Sequence, residues 1–133
     1  LDALGGEEAL IAASDEADLD LYRRRRALAF LEFYKSHRVF SHLAFVLAEA
    51  TYPEPLRIAA ANALVDGFGR TYPARVLCRI RPLLKSSSRA VRRAAYRALI
   101  HMGTSDARQV IRKSLGTEPS LVLRSSIFRR LSR

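Results

Sequence analysis

The sequence predicts an all-α fold, an α-solenoid of stacked antiparallel helix pairs, and three observations lead there. No segment alternates polar and apolar residues as a half-buried strand must. Turn-forming residues punctuate the chain at helix-scale intervals: GlyGly at 5–6, ProGluPro at 53–55, TyrPro at 72–73, SerSerSer at 86–88, GlyThr at 103–104 and GluPro at 118–119. An arginine followed seven residues later by leucine recurs four times, in RRRALAFL (24–31), RIAAANAL (57–64), RRAAYRAL (92–99) and RSSIFRRL (124–131). The arginines lie 33, 35 and 32 residues apart, a period that marks helix pairs unable to bury their apolar faces alone.

The punctuation divides the chain into eight expected helices. The first, near 6–14, follows GlyGly, and the second, near 18–36, carries Leu21, Ala27, Leu28 and Leu31 on its buried side. The third, near 38–50, contains the longest clean apolar run, LAFVLA at 43–48, far short of the roughly 20 residues that span a bilayer. ProGluPro opens the fourth, near 54–69, and TyrPro the fifth, near 74–85, where Val76, Leu77, Ile80, Leu83 and Leu84 are core positions and Pro82 is expected to distort the helix. In the sixth, near 88–102, Val91, Ala94, Ala95, Ala98, Leu99 and Met102 fall on one continuous stripe. GlyThr and GluPro open the seventh and eighth, near 105–115 and 119–131. Small residues after each repeat arginine (Ala27; Ala59 and Ala60; Ala94 and Ala95; Ser126) allow close helix approach.

With 133 residues, 49% hydrophobic and 27% charged, the chain has the size and composition of one folded domain. Its net charge of +10 is unevenly placed. Residues 1–20 carry seven acids (Asp2, Glu7, Glu8, Asp15, Glu16, Asp18 and Asp20) and no base, so the remainder holds 23 bases against six acids, or +17. Such an excess favours an anionic partner. Arginine outnumbers lysine 20 to 3, which suits bidentate contacts and equally fits a GC-rich coding sequence. The one cysteine, Cys78, is expected to be a small buried residue in a reducing, cytoplasmic setting. Because the chain starts at Leu1, it reads as a trimmed or excised piece.

The registered arginines resemble those of the HEAT and HEAT-like repeat family, including its PBS-lyase-type members. The resemblance implies a right-handed superhelix of about 3.5 to 4 repeats. It divides one domain, 1–133, into a partial repeat at 1–16, helix pairs at 17–51, 52–86 and 87–117, and a terminal half repeat at 118–133. In that family an acid six residues before the arginine helps tie successive repeats together. Asp18 before Arg24 and Glu118 before Arg124 keep that acid, whereas Thr51 before Arg57 and Ser86 before Arg92 are uncharged. The resemblance thus assigns Arg24, Arg57, Arg92 and Arg124 a structural role, donating to carbonyls or carboxylates of neighbouring turns.

The resemblance also places the second helix of each pair on the concave surface. Aligning RVFSHLAFVLAEA (38–50), ARVLCRIRPLLK (74–85) and DARQVIRKSLG (106–116) at a 33-residue offset puts His42, Arg75 and Arg108 in one row, with Arg79 and Arg112 beside it. This is the expected partner-binding patch, with Arg81 and Lys113 as extensions. The plain alternative is a solvated basic face with no ligand. Arg89, Arg93 and Arg97 form a secondary basic row on a first helix, expected to be convex and continued by Arg129, Arg130 and Arg133. The tetrad at 23–26 reads as a localisation motif only if treated as a string; on a helix its charges diverge.

Catalytic motifs are absent from the sequence. There is no phosphate-binding glycine loop, HExxH, paired cysteine or GxSxG pattern, and His37, His42 and His101 lack carboxylates at ligand spacing. No enzyme activity, cofactor or metal is expected. The leading expectation is a scaffold that binds an acidic or phosphorylated protein segment, without membrane insertion. Nucleic-acid binding through the same charges is the alternative, and the acidic first segment and basic last repeat allow head-to-tail self-association.

Overall fold

In a computed structural model, which describes residues 3–132, the chain forms eight α-helices and no strand among the described residues. They are α1 (Ala3–Asp15), α2 (Leu21–Phe30), α3 (His37–Ala48), α4 (Glu54–Phe68), α5 (Pro73–Ile80), α6 (Arg89–Met102), α7 (Ser105–Leu115) and α8 (Leu121–Leu131). Short polar side chains set the starts. Asp20, Ser36, Ser88, Thr104 and Ser120 each accept the N–H three residues on, giving one unpaired amide of the first turn a partner. Gly103, with φ 70°, stops α6 in a left-handed conformation that side chains disfavour.

Two expected helices are shorter than their apolar patterns suggest. The stretch 18–36 becomes α2 and a 3₁₀ turn, Leu31–Phe33, because Asp20 caps at Arg23 and extended Tyr34 ends the helix. The expected fifth helix is α-helical only to Ile80. Pro82 has no N–H to offer the Cys78 carbonyl, and Arg81–Lys85 tightens into a 3₁₀ helix.

The first helices stack in order, α2 on α4, α4 on α6 and α6 on α8, while α5 and α7 each bridge two neighbouring first helices and α3 packs on α4. Their shared core contains Leu28, Leu43, Leu64, Ile80, Tyr96, Leu99 and Ile111, all fully buried. Ala60, Ala61 and Ala95 are also fully buried, which lets the helices approach closely. Where α4 meets the Leu31–Phe33 turn, a Cβ on Gly67 would lie 2.9 Å from the Glu32 carbonyl oxygen, so only glycine fits. Lys35 Nζ clasps the same junction, donating to the carbonyls of Glu32 (2.6 Å) and Gly67 (2.8 Å).

The four repeat arginines reach into turns, each in its own way. Arg24 Nε donates to the Ser14 carbonyl (2.9 Å) and Arg57 Nε to the Leu47 carbonyl (3.1 Å), both near the end of a preceding second helix. Arg92 is buried; it donates to the Ser86 carbonyl at 2.9 Å and to Glu118 Oε1 at 3.1 Å. Arg124 takes the Glu118 carbonyl (3.1 Å).

The expected pairing of Arg24 with Asp18 gives way to Ser14. The Glu118 carboxylate serves not Arg124, six residues later, but Arg92 in the preceding repeat. Stacking brings the α7–α8 turn over the start of α6, and the carboxylate also accepts the Ser120 N–H at 2.9 Å. Replacing Glu118 with alanine strands a buried guanidinium and is expected to cost about 3–5 kcal/mol in urea unfolding. Arg57→Ala, which removes a single bond to a carbonyl, costs about 1 kcal/mol.

Candidate binding surface

The three positions of the row expected at 42, 75 and 108 differ in surroundings: His42 is covered by a neighbouring second helix, Arg75 is exposed and Arg108 is half-buried. His42 is half-buried, and its Nε2 lies 2.8 Å from Ser14 Oγ on α1, so α1 covers it and it belongs to no open patch. One repeat on, the Arg75 guanidinium lies 4.6 Å from the Phe40 ring centroid on α3 and 5.4 Å from that of Tyr72. This is a cation–π contact at the seam between second helices. Arg108 is half-buried on α7.

Arg79 and Arg112 are exposed, but they line different grooves. Arg79 borders a groove of about 390 Å³ between α3 and the α5 segment, floored by Leu47, Ala48, Pro82 and Leu83. A second groove, of about 610 Å³, lies on the far side of Pro82, where Arg81, Lys85 and Lys113 surround Leu84 and Val110. Pro82 and Lys85 line both, so the two grooves form one surface split by the 3₁₀ ridge. No carboxylate lines either groove. Lys85 Nζ bonds Thr117 Oγ1 at 2.9 Å, which fixes one cation at the rim. Sequence reasoning does not single out Lys85. The available signal is its four-residue spacing from Arg81, with the proline between them.

The first-helix face carries charge of both signs. Arg89, Arg93 and Arg97 are exposed along α6, and Arg93 and Arg97 line a groove of about 440 Å³ that also contains Asp66 and His101. Asp66 Oδ1 lies 3.4 Å from His101 Nε2. The adjoining groove pairs Arg25 with Glu32 and Asp66. Arg129 and Arg130 are exposed on α8, while Asp2 and Arg133 lie outside the described residues.

The tetrad diverges. Arg23 sits 4.0 Å from Asp20, Arg24 turns inward to Ser14, Arg25 faces the α2–α4 groove, and Arg26 stacks 5.6 Å from the rings of both Tyr22 and Phe30. Cys78, expected to be buried, is exposed, because Val76 and Ile80 take the buried side of the short α5 and leave the position between them outside. Among the described residues no cluster of His, Cys, Asp and Glu could hold a metal ion, and no helix is long and apolar enough to cross a membrane.

The family profile of HEAT repeats matches residues 46–132, more than half of the chain, from the last residues of α3 to the end of α8. No curated protein and no solved structure matches the sequence.

His42 gives the α1–α3 seam a pH dependence. Burial holds its pKa below 6.5, outweighing the opposing pull of Asp15. The unfolded chain therefore binds this proton more readily than the folded one, and stability falls as the pH drops through 6.5. Substitution by glutamine flattens that part of the stability–pH profile, as chemical denaturation at a series of pH values will show.

Proposed function

Because the chain belongs to the HEAT-repeat family, we propose that it is a non-catalytic scaffold holding an acidic or phosphorylated protein segment along its second-helix face. The carrying observation is the divided groove in which Arg79, Arg81, Lys85 and Lys113 ring an apolar floor and no carboxylate competes for them. An extended segment can place carboxylates or phosphates against these cations and lay aliphatic side chains over Pro82, Leu83 and Val110. Charge-assisted hydrogen bonds to guanidinium groups supply orientation, and the apolar floor supplies burial. The first-helix grooves offer less to an anion, since Asp66 and Glu32 already offset their arginines.

Nucleic acid would meet the same cations, but the aromatics do not favour it. Tyr22, Phe30, Phe33, Phe45, Tyr72 and Phe128 are exposed, but no aromatic ring lines either groove to stack a base. An exposed free thiol on α5 accords with a reducing, cytoplasmic setting.

Fluorescence anisotropy with a labelled Asp/Glu-rich phosphopeptide, beside generic DNA and RNA at physiological salt, tests the reading. The expected outcome is saturable peptide binding weakened at least about tenfold by Arg79→Glu with Lys113→Glu. The control pair Arg89→Glu with Arg93→Glu on the opposite face should change it less than about twofold. Equal losses in both pairs would reduce the effect to net charge. Persistent nucleic-acid binding without peptide binding would replace the proposal with the nucleic-acid alternative.

A further inference from the structure

We infer that the groove beside Arg57 is a phosphate site, in which a phosphate group takes the place that the Glu118 carboxylate takes on Arg92. Two turns of the chain match bond for bond. Arg92 donates to the Ser86 carbonyl six residues before it (2.9 Å), as Arg124 donates to the Glu118 carbonyl (3.1 Å). The Ser88 amide donates to Ser86 Oγ (3.2 Å), as the Ser120 amide donates to Glu118 Oε2 (2.9 Å). Ser86 therefore holds the place of Glu118 one repeat earlier, with a side chain that ends at Oγ. Glu118 reaches back to the repeat arginine of the preceding helix pair, Arg92. The arginine in that relation to Ser86 is Arg57, and the two residues line one groove of about 390 Å³.

Arg57 has no acid of its own. Its Nε takes the Leu47 carbonyl (3.1 Å), and among the described residues its terminal nitrogens form no hydrogen bond or ion pair. At Arg24, the other repeat arginine with no acid in the next turn, Asp15 directly follows the Ser14 whose carbonyl it takes. Around Arg57, positive charge accumulates instead. Arg79 and Lys85 line the same groove, with Ser86, Ser87 and no carboxylate. Lys85 keeps its bond to Thr117 Oγ1 (2.9 Å) and has two further N–H groups to offer. Three cations and two hydroxyls around one concavity suit a phosphate monoester better than a carboxylate. The monoester offers three terminal oxygens and a charge of about −1.5 to −2, against two oxygens and a single charge.

The phosphate site deepens, and for its source rests on, the reading of the second-helix face as the seat of an anionic segment. A phosphorylated residue brings the group together with the chain that covers Leu47, Ala48, Pro82 and Leu83. Free phosphate shares the chemistry and meets the same donors. The site lies between repeats, with Arg57 on α4, Arg79 on α5 and Ser86 in the turn before α6. A bound phosphate thus ties consecutive repeats as the Glu118 carboxylate does, and it stabilises the folded stack by mass action.

Isothermal titration calorimetry at physiological salt tests the site, with inorganic phosphate and with three peptides of one sequence that carry phosphoserine, glutamate or serine at the same position. The wild-type chain is expected to bind phosphate at one saturable site, and the phosphoserine peptide at least about tenfold more tightly than the glutamate peptide. Arg57→Gln, which keeps a donor for the Leu47 carbonyl, should weaken both phosphate ligands at least about tenfold. Ser86→Glu restores the acid of the ladder, so it should fill the site from within, abolish phosphate binding and raise the urea midpoint. Arg89→Gln, the same one-charge change on the opposite face, should alter binding less than about twofold. Circular dichroism confirms that the variants fold. A phosphoserine peptide that binds no more tightly than inorganic phosphate identifies free phosphate as the ligand, and the site then stands while the segment reading falls. A wild-type chain that binds neither phosphate nor the phosphoserine peptide would overturn the inference, as would binding that Arg57→Gln and Ser86→Glu both leave unchanged. Equal affinity for the phosphoserine and glutamate peptides also overturns it, and leaves the scaffold reading intact.

Discussion

The pairing on which the stack most depends is Arg92 with Glu118, a guanidinium and a carboxylate held at 3.1 Å with 9% and 0% of their side chains exposed. Two ions removed from water are stabilising only if each finds further partners, and here they do. Arg92 also takes the Ser86 and Ser87 carbonyls, and Glu118 takes the Ser120 amide. One contact thereby fixes the turn before α6, the α6 axis, and the turn that launches α8. Through its main-chain carbonyl the same Glu118 then receives Arg124, so the chain of contacts passes from one repeat to the next. Thr51 and Ser86 replace the acid in the two earlier turns, and Arg24 and Arg57 fall back on helix-end carbonyls. Those are weaker, neutral acceptors, so the C-terminal half is the more firmly tied.

Helix order and repeat register were legible in the sequence because both rest on local chemistry. A serine, threonine or aspartate that can cap, a proline that cannot donate and a left-handed glycine act within a few residues. Direction across the stack was not legible in the same way. Register placed 42, 75 and 108 in line, but whether a line faces water or the adjacent helix depends on the rotation between repeats. His42 is covered by Ser14, and Arg75 lies on Phe40 of the preceding second helix. Cys78 was misplaced for a related reason. Its apolar neighbours suggested burial, yet Val76 and Ile80 are a helical turn apart, and the residue between them must point away.

The charge asymmetry of the chain is resolved differently on its two faces. On the first-helix side, α4 contributes Asp66 to both grooves and the Leu31–Phe33 turn contributes Glu32 to one, so arginines from α2 and α6 meet nearby acids. On the second-helix side the apolar ridge around Pro82 separates cations without balancing them. Arg75 is an instructive exception. Its charge is met by the electron-rich faces of Phe40 and Tyr72, which lets a guanidinium sit at an inter-repeat seam without a carboxylate partner.

Unbalanced cations on one face repel one another, and that repulsion works against the compact state. The fold tolerates it because Arg24, Arg57 and Arg92 place their charge against helix-end and turn carbonyls and Glu118, while Arg79, Arg81 and Lys113 remain exposed to water and salt. Arg92, which is buried, and Arg24 and Arg57, which are half-buried, thus differ in environment from the surface arginines although all look alike in sequence. An anionic segment in the proposed groove would relieve the surface repulsion and bind only the folded stack, so occupancy would stabilise the fold by mass action. The excess charge that weakens the free scaffold is, on that reading, the same charge that favours its partner.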